Sequence, residues 1–326
     1  MNSSAAALPD LSVILVTPDC YETIRKTIRS LCAQTVRDRL EIVIVAPSVR
    51  TLGLADEELR VFHSIQVIEY GKIETLAAPR AAAIRAASAP LVALGEDHAF
   101  PEPGWAEALI EAHRKPWAAV GAVFVNGNPG PMSWISLVMD YGRWLEPVVG
   151  GVTDDVPGHN SSWRRALLLE YGPELERMMQ APTILHWDLQ AKGYQLYLEP
   201  AAKVRHVNIT RLSSFVLDHF YGARVFAAAR ALNWPWLQRL FYVSGMPLLT
   251  VRTLHEWLGH MRRTGLNREL LPNSWPLLLL SLIVWSLGEM TGYGVGMGKA
   301  EHRTLNYDAR RESHLSRTDR ELHFNY

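Results

Sequence analysis

The chain has 326 residues, 48% hydrophobic and 20% charged, enough for one large or two modest domains with a sizeable core. Its 33 basic and 33 acidic side chains cancel to a formal net charge of zero; without a basic surplus for a phosphate backbone, no nucleic acid is expected as a partner. The two cysteines, Cys20 and Cys32, lack C-x-x-C spacing and are too few for a disulfide framework, so they read as reduced cytosolic thiols; the N-terminus lacks the form of a signal peptide.

Leu11 to Val16 is a β-branched apolar run that ends at Thr17-Pro18-Asp19 and predicts a buried parallel strand feeding a loop. Glu22 to Gln34 carries Ile24, Ile28 and Leu31 at helical spacing, and Glu41 to Ala46 is a second buried strand stopped by Pro47-Ser48. Strand, helix, strand with short connections is a right-handed βαβ unit. The alternation continues with a strand at Ile65 to Glu69, an Ala-rich helix from Leu76 to Ala87 and a short strand, Leu91 to Leu94. A helix from Trp105 to His113 and a strand from Ala118 to Val125 follow. Asn160, Ser161 and Ser162 are N-cap candidates for a helix from Trp163 to Tyr171. Strands at Gln195 to Leu198 and Lys203 to Val207 close the region around Pro200. The fold class is α/β, a Rossmann-like, mostly parallel sheet with helices on both faces. After about residue 210 the strand signals vanish. Helical stretches rich in Trp, Leu and Phe take over, and a charged tail from Lys299 to Tyr326 reads as solvated or loosely docked.

Chemistry concentrates at Glu96-Asp97-His98, directly after the strand Leu91 to Leu94 and before Pro101-x-Pro103-Gly104-Trp105. Open α/β sheets bind ligands beyond the carboxyl ends of their parallel strands. Two carboxylates and an imidazole there suit a divalent cation holding a diphosphate; the plain alternative is a pair of acids capping a turn.

These residues resemble the metal-binding segment of family 2 glycosyltransferases, and three other stretches agree in the family's order. Ser12 to Val16, Gln34-Thr35 and Glu41 to Val45 resemble the donor-binding start. Gly158-His159-Asn160-Ser161-Ser162-Trp163-Arg164-Arg165 resembles the acceptor-side segment; Asp188-Leu189, Gly193-Tyr194, Pro200-x-Ala202 and His206 resemble the ending. The resemblance covers about residues 11 to 208 and implies a GT-A fold with inverting transfer from a nucleotide-sugar. It places Thr17, Pro18, Asp19, Ser48, Arg80, Glu96 and Asp97 at the donor, and His159, Asn160 and Trp187 on the acceptor side. Glu96, Asp97, His98 and His206 become metal ligands; His98 in place of an acid favours Mn2+ over Mg2+. Two departures stand out. An Asp that commonly follows the family's second strand is replaced by Ala46-Pro47-Ser48, and the base position of E-D-x-D-L falls on His186, while its later Asp survives as Asp188. Either side chain is a candidate for the proton acceptor that inverting transfer needs, with Asp188 preferred as a carboxylate.

The apolar run Trp275 to Leu287 continues through Gly288, Gly292 and Gly296, whose four-residue spacing predicts a smooth face for close helix packing. With Phe241 to Leu254 and the basic residues Arg252, Arg262, Arg263 and Arg268, this region predicts membrane association, peripheral or through one C-terminal span at the cytoplasmic face; the alternative is a soluble helical subdomain with the same residues as its core. The expected organisation is a catalytic domain over 10–210, a helical membrane-associated region over 211–298 and the tail over 299–326. The expected activity is sugar transfer from a nucleotide-sugar to a polysaccharide, lipid-linked or other membrane-proximal acceptor. The alternative is a non-catalytic relative that binds a nucleotide-sugar or a partner enzyme. A nucleotidyltransferase fits less well, since no Gly-rich, Lys-bearing loop follows the first strand.

Overall fold

Strand β1 (Leu11–Val16) shows how the apolar runs fold: Leu11, Val13 and Leu15 enter one buried cluster and Ile14 the other. β2 (Leu40–Ala46) repeats this, with Leu40, Ile42 and Ile44 on the first face and Val43 and Val45 on the second. Alternate side chains leave opposite faces of a strand, so an unbroken apolar run is the mark of a sheet covered on both sides. Helix α1 (Tyr21–Cys32) covers the first face with Ile24, Ile28 and Leu31; α2 (Ala77–Ala86) covers the second with Ala77, Ala81 and Ile84. The computed structural model describes residues 8–54, 56–266 and 271–324.

The remaining strands are β3 (Ser64–Glu69), β4 (Leu91–Leu94), β5 (Ala99–Pro101), β6 (Ala119–Asn126), β7 (Gly151–Thr153), β8 (Ser162–Arg164) and β9 (Leu196–His206). Their order is β3-β2-β1-β4-β8-β6-β9-β5, with β7 also on β9. β1 pairs in parallel with β2 and β4, β2 with β3, and β6 with β9; the short β5, β7 and β8 run antiparallel to their neighbours. The α/β, mostly parallel expectation holds.

Two local expectations do not. Trp163 belongs to β8 rather than to a capped helix, because Asn160 takes a left-handed backbone (φ 57) and sends the chain between β4 and β6. The two strands expected around Pro200 are one strand. Its pairing with β6 shifts register between Gly121 and Val123, and Pro200, which has no N–H to give, lies in the unpaired stretch.

The other long helices are α3 (Trp105–Ala112), α4 (Pro131–Tyr141), α5 (Pro182–Ala191), α6 (Leu212–Arg230), α7 (Trp236–Ser244), α8 (Met246–Arg263), α9 (Leu271–Val295), α10 (Ala300–Asp308) and α11 (Arg317–Phe324). α9 lies against α6 through its glycines: a Cβ on Gly288 would stand 2.4 Å from the Phe220 carbonyl oxygen, and one on Gly292 2.6 Å from that of Arg224. The tail is docked, not solvated. Leu305, Tyr307, Arg311, His314 and Leu315 are buried, and Thr210 and Arg211 donate their backbone N–H to the His314 carbonyl. Arg263 is also differently used from expectation, donating to the carbonyls of Gly142, Leu145 and Pro147 rather than facing outward. Arg252 is exposed beside Glu256, and Arg268 lies outside the described residues.

Candidate functional site

β4 delivers Glu96 to the carboxyl edge of the sheet. Gly95 is required there, since a Cβ would meet Leu15 Cδ2 at 2.6 Å. Thr27 of α1 donates to the Glu96 carbonyl (2.6 Å). Gln34, just beyond α1, holds the following Pro-x-Pro-Gly-Trp turn by donating to the Glu102 carbonyl and accepting from the Ala106 N–H. Trp105 of that turn donates from its indole to the Asn160 carbonyl (2.9 Å), and Asn160 Nδ2 donates to Glu96 Oε2 (2.8 Å). The motif residues are therefore one connected scaffold. Asn tolerates the left-handed conformation better than other side-chain-bearing residues, and here it pairs with the carboxylate below it.

Around Glu96 stand three imidazoles. His159 Nδ1 is 2.5 Å from Oε1, and His98 Nε2 is 3.7 Å from the same oxygen. His206, ending β9, has its ring centroid 4.8 Å from that of His98. His98 Nε2 accepts from the Arg311 guanidinium (2.8 Å), which places the ring proton on Nδ1, donating to Asp97 Oδ1 (2.5 Å). His206 Nδ1 bonds the Asn208 side chain (2.8 Å), and its buried Nε2 has no hydrogen-bond partner among the described residues.

Burial acts on all of these groups, and their neighbours decide the outcome. Glu96 would be raised by burial, but His159 and His98 hold it well below the usual carboxylate range. Burial, then the Arg311 charge, pushes His98 well down; burial, then His98, brings His206 to about 3. Both rings are thus neutral. Burial lifts Asp97 to about 7 against the opposing pull of Arg311, and burial with Asp218 does the same to Asp308.

Glu96, His98 and His206 offer one ligand atom each, all within 4.8 Å of one another, and can hold a metal ion. The bare Nε2 of His206 and the neutral state of both rings fit that use, since a metal needs unprotonated nitrogens; His98 would join only once its Nε2 gives up the Arg311 N–H. Asp97 stands outside the group, its oxygens facing His98 and the Arg311 backbone N–H. Next to the cluster a cavity of about 550 Å3 is lined by Arg80, Glu96, His159, Trp187, His206, Asp218, Asp308 and Arg311 among others.

By sequence, residues 12–172 match the family described as Glycosyl transferase family 2. That stretch of the chain belongs to glycosyl transferase family 2. No curated protein matches the chain in sequence. Among solved structures it is similar to GalNAc-T7 with UDP, GalNAc and Mn2+ (15% identity, TM-score 0.52, covering 73% of this chain and 50% of that one). It is also similar to a mannosyltransferase from Pyrobaculum calidifontis in complex with GDP-Man and Mn2+ (16% identity, TM-score 0.51, covering 92% and 88%). The fold is GT-A, and residues 12–172 carry the glycosyltransferase family's sequence.

The structure brings together Arg80, Glu96, Asp97, His98, His159, Asn160 and His206 from the expected set, with Trp187 at the cavity. Thr17, Pro18, Asp19 and Ser48 follow β1 and β2 and do not line that cavity among the described residues. Thr17 Oγ1 accepts from the Asp19 N–H, Ser48 caps the helical turn Val49–Leu52, and Asp19 holds Arg310 with two 2.7 Å bonds. Neither expected proton acceptor reaches the cavity. Asp188 faces Tyr171 (2.5 Å) and Lys192 (2.7 Å), and His186 is fully buried between Trp163 and Asp155. The correction has a helical cause: on α5, Trp187 turns to the cavity, so its neighbours on either side turn away. Sequence reasoning missed Asp155, Asp218, Asp308 and Arg311. Arg311 and Asp308 come from a tail without apolar periodicity, and no local pattern announces them.

Proposed function

We propose that this glycosyltransferase moves a sugar, with inversion, from a nucleotide-sugar donor to a membrane-proximal saccharide or lipid-linked acceptor, using a divalent cation. The observation that carries the reading is Glu96 at the carboxyl end of β4, set with the neutral His98 and His206 beside a cavity that also presents Arg80. Glu96, His98 and His206 would hold the cation, which when bound neutralises charge on the departing diphosphate. Two imidazoles beside one carboxylate favour manganese over magnesium. The Mn2+ and nucleotide bound in both related structures support the same assignment.

In this reading Arg80 binds the donor diphosphate, as a buried guanidinium in the cavity wall suits. His159 and Asn160 hold the Glu96 carboxylate in place, and Trp187 offers a ring face to a sugar. Thr17, Pro18 and Ser48 edge the nucleotide, and Asp19 anchors the tail through Arg310.

Membrane contact is assigned to the helical region as a peripheral surface at the cytoplasmic face. Ser274–Val295 is long and apolar enough to span and is less than half buried, with its glycines packed against α6. Its outer residues Leu279, Ile283 and Leu287, with Trp236 and Phe241 of α7 and Leu248 of α8, are exposed. Such a surface suits insertion into a headgroup layer.

A thermal-shift panel of nucleoside diphosphates and nucleotide-sugars, with and without Mn2+, tests the donor class. One nucleotide is expected to raise Tm, and more so with Mn2+; an unchanged Tm across the panel would remove the support for a nucleotide-sugar donor. The burial of His186 and the outward direction of Asp188 keep a second reading open, a donor-binding scaffold, for which binding without turnover is the signature.

A further inference from the structure

Transfer needs a proton acceptor for the incoming hydroxyl, and neither Asp188 nor His186 stands at the cavity. Among the other carboxylates lining it, Asp140 is 3.5 Å from the His219 ring, Asp218 3.9 Å from Arg311, Glu256 2.8 Å from Arg252 and Glu301 3.0 Å from Gln180. Asp308 lies among Asp218, Arg311 and Arg80 and is the competing candidate. Glu96 belongs to the cation cluster. Asp155, in the loop between β7 and β8, is different: a chain of hydrogen bonds that starts in the sheet aims it.

The chain begins at Trp163 on β8. An indole N–H only donates, so His186 Nε2, 3.2 Å away, is the acceptor. The His186 proton therefore sits on Nδ1, 2.5 Å from Asp155 Oδ1, and donates to it. The Val156 N–H adds a second bond to Oδ1 (3.0 Å). Trp144 Nε1 and Thr153 Oγ1 fix the Asp155 carbonyl at 3.2 and 3.0 Å. Oδ1 is thus saturated, while Oδ2 has one long contact, 3.4 Å to Thr183 Oγ1. Asp155 and Thr183 both line the cavity, as do Trp187 and His159. Asp155 is four positions from His159, which touches Glu96, so their Cα atoms are at most about 14 Å apart.

We propose that Asp155 is the catalytic base of sugar transfer and that His186 is its positioning residue. The proposal rests on the reading of the chain as an active nucleotide-sugar transferase. Asp155 Oδ2 takes the proton of the acceptor hydroxyl as that oxygen bonds to the anomeric carbon. The bond from the anomeric carbon to the diphosphate oxygen breaks, and its electron pair leaves with the nucleoside diphosphate. The carboxylate has in effect moved off α5 to the facing loop, with a histidine behind it to hold its direction.

The test compares full-length wild-type protein with Asp155→Asn, Asp155→Ala, His186→Ala, His186→Asn and Asp308→Asn, using the nucleotide-sugar that wild type consumes. For Asp155→Asn, kcat is expected to fall about 100- to 10,000-fold. Its affinity for the nucleoside diphosphate, read by calorimetry, stays within twofold and reports an intact fold. Added formate partly restores Asp155→Ala, a rescue that a purely structural role would not allow. His186→Asn, whose amide can donate from the Nδ1 position, retains more activity than His186→Ala. Wild-type turnover with an equally active Asp155→Asn overturns this proposal alone, as does loss of transfer in Asp308→Asn with Asp155→Asn active. A wild type that consumes no donor overturns the transferase reading and this inference together.

Discussion

At the scale of single residues, charge in this protein is buried in pairs. His219 on α6 lies 3.5 Å from Asp140 on α4, and its pKa is about 8: burial pushes it down, but the Asp140 charge more than offsets that. A histidine raised from 6.5 stabilises the fold fully below about pH 6.5, and that contribution is lost as pH rises through about 8. Its size is about 2 kcal/mol from a rise of one to two pKa units. Urea unfolding at pH 6 and pH 9 is expected to show His219→Gln costing most at pH 6 and little at pH 9; an equal cost at both would contradict the pairing. The same scale marks the limit of what a sequence shows. Glu96, His98, His159, Asn160 and His206 could be picked out because each sits in a short ordered motif, although His159 and Asn160 were expected on the acceptor side and instead contact Glu96. Asp155 was not, since its role depends on His186, 31 positions away, and Arg311 reaches His98 across 213.

At the scale of elements, the four-residue glycine spacing of α9 was legible as a packing face; its partner, α6, was not, because the spacing carries no information about what lies opposite. Gly288→Ala brings a methyl against the Phe220 carbonyl and is expected to cost about 1–3 kcal/mol by overpacking. Gly294 is the control, having only Val243 Cγ2 at 3.9 Å from the place of a Cβ. Gly294→Ala is expected to be neutral or to gain up to about 1 kcal/mol from helix propensity. Equal effects at both positions in a urea titration would contradict the α6–α9 contact. The strands of the catalytic half were legible from continuous apolar runs. Pro200 was misleading, because a proline ends a strand only where its missing N–H is needed, and here it lies at a register shift. Of the two expectations for the tail, solvated or loosely docked, the docked one holds: Leu305 and Tyr307 of α10, with Ala309 just after it, enter the core, though the sequence does not show what they pack against.

At the scale of the whole molecule, the cavity joins the two halves, with Arg80 and Glu96 on the sheet side and Asp218, Trp257 and Trp285 on the helical side. A surface of exposed Trp, Leu and Phe on α7, α8 and α9 belongs to that same helical half, which is the basis for placing the acceptor near a membrane. Anionic vesicles are expected to co-float the wild-type protein and to release a Leu240→Glu, Phe241→Glu double variant that still binds nucleotide. Equal flotation of the two would remove the peripheral-contact reading. The central claim is that Glu96 and its imidazoles serve cation-assisted release of a nucleoside diphosphate. The measurement closest to it is nucleoside diphosphate release from a nucleotide-sugar panel by wild type and Glu96→Gln, with Mn2+ or with chelator. The account predicts release from one donor by wild type with Mn2+, and its loss both on chelation and in Glu96→Gln. Release that survives both changes, or no release from any donor, would contradict it.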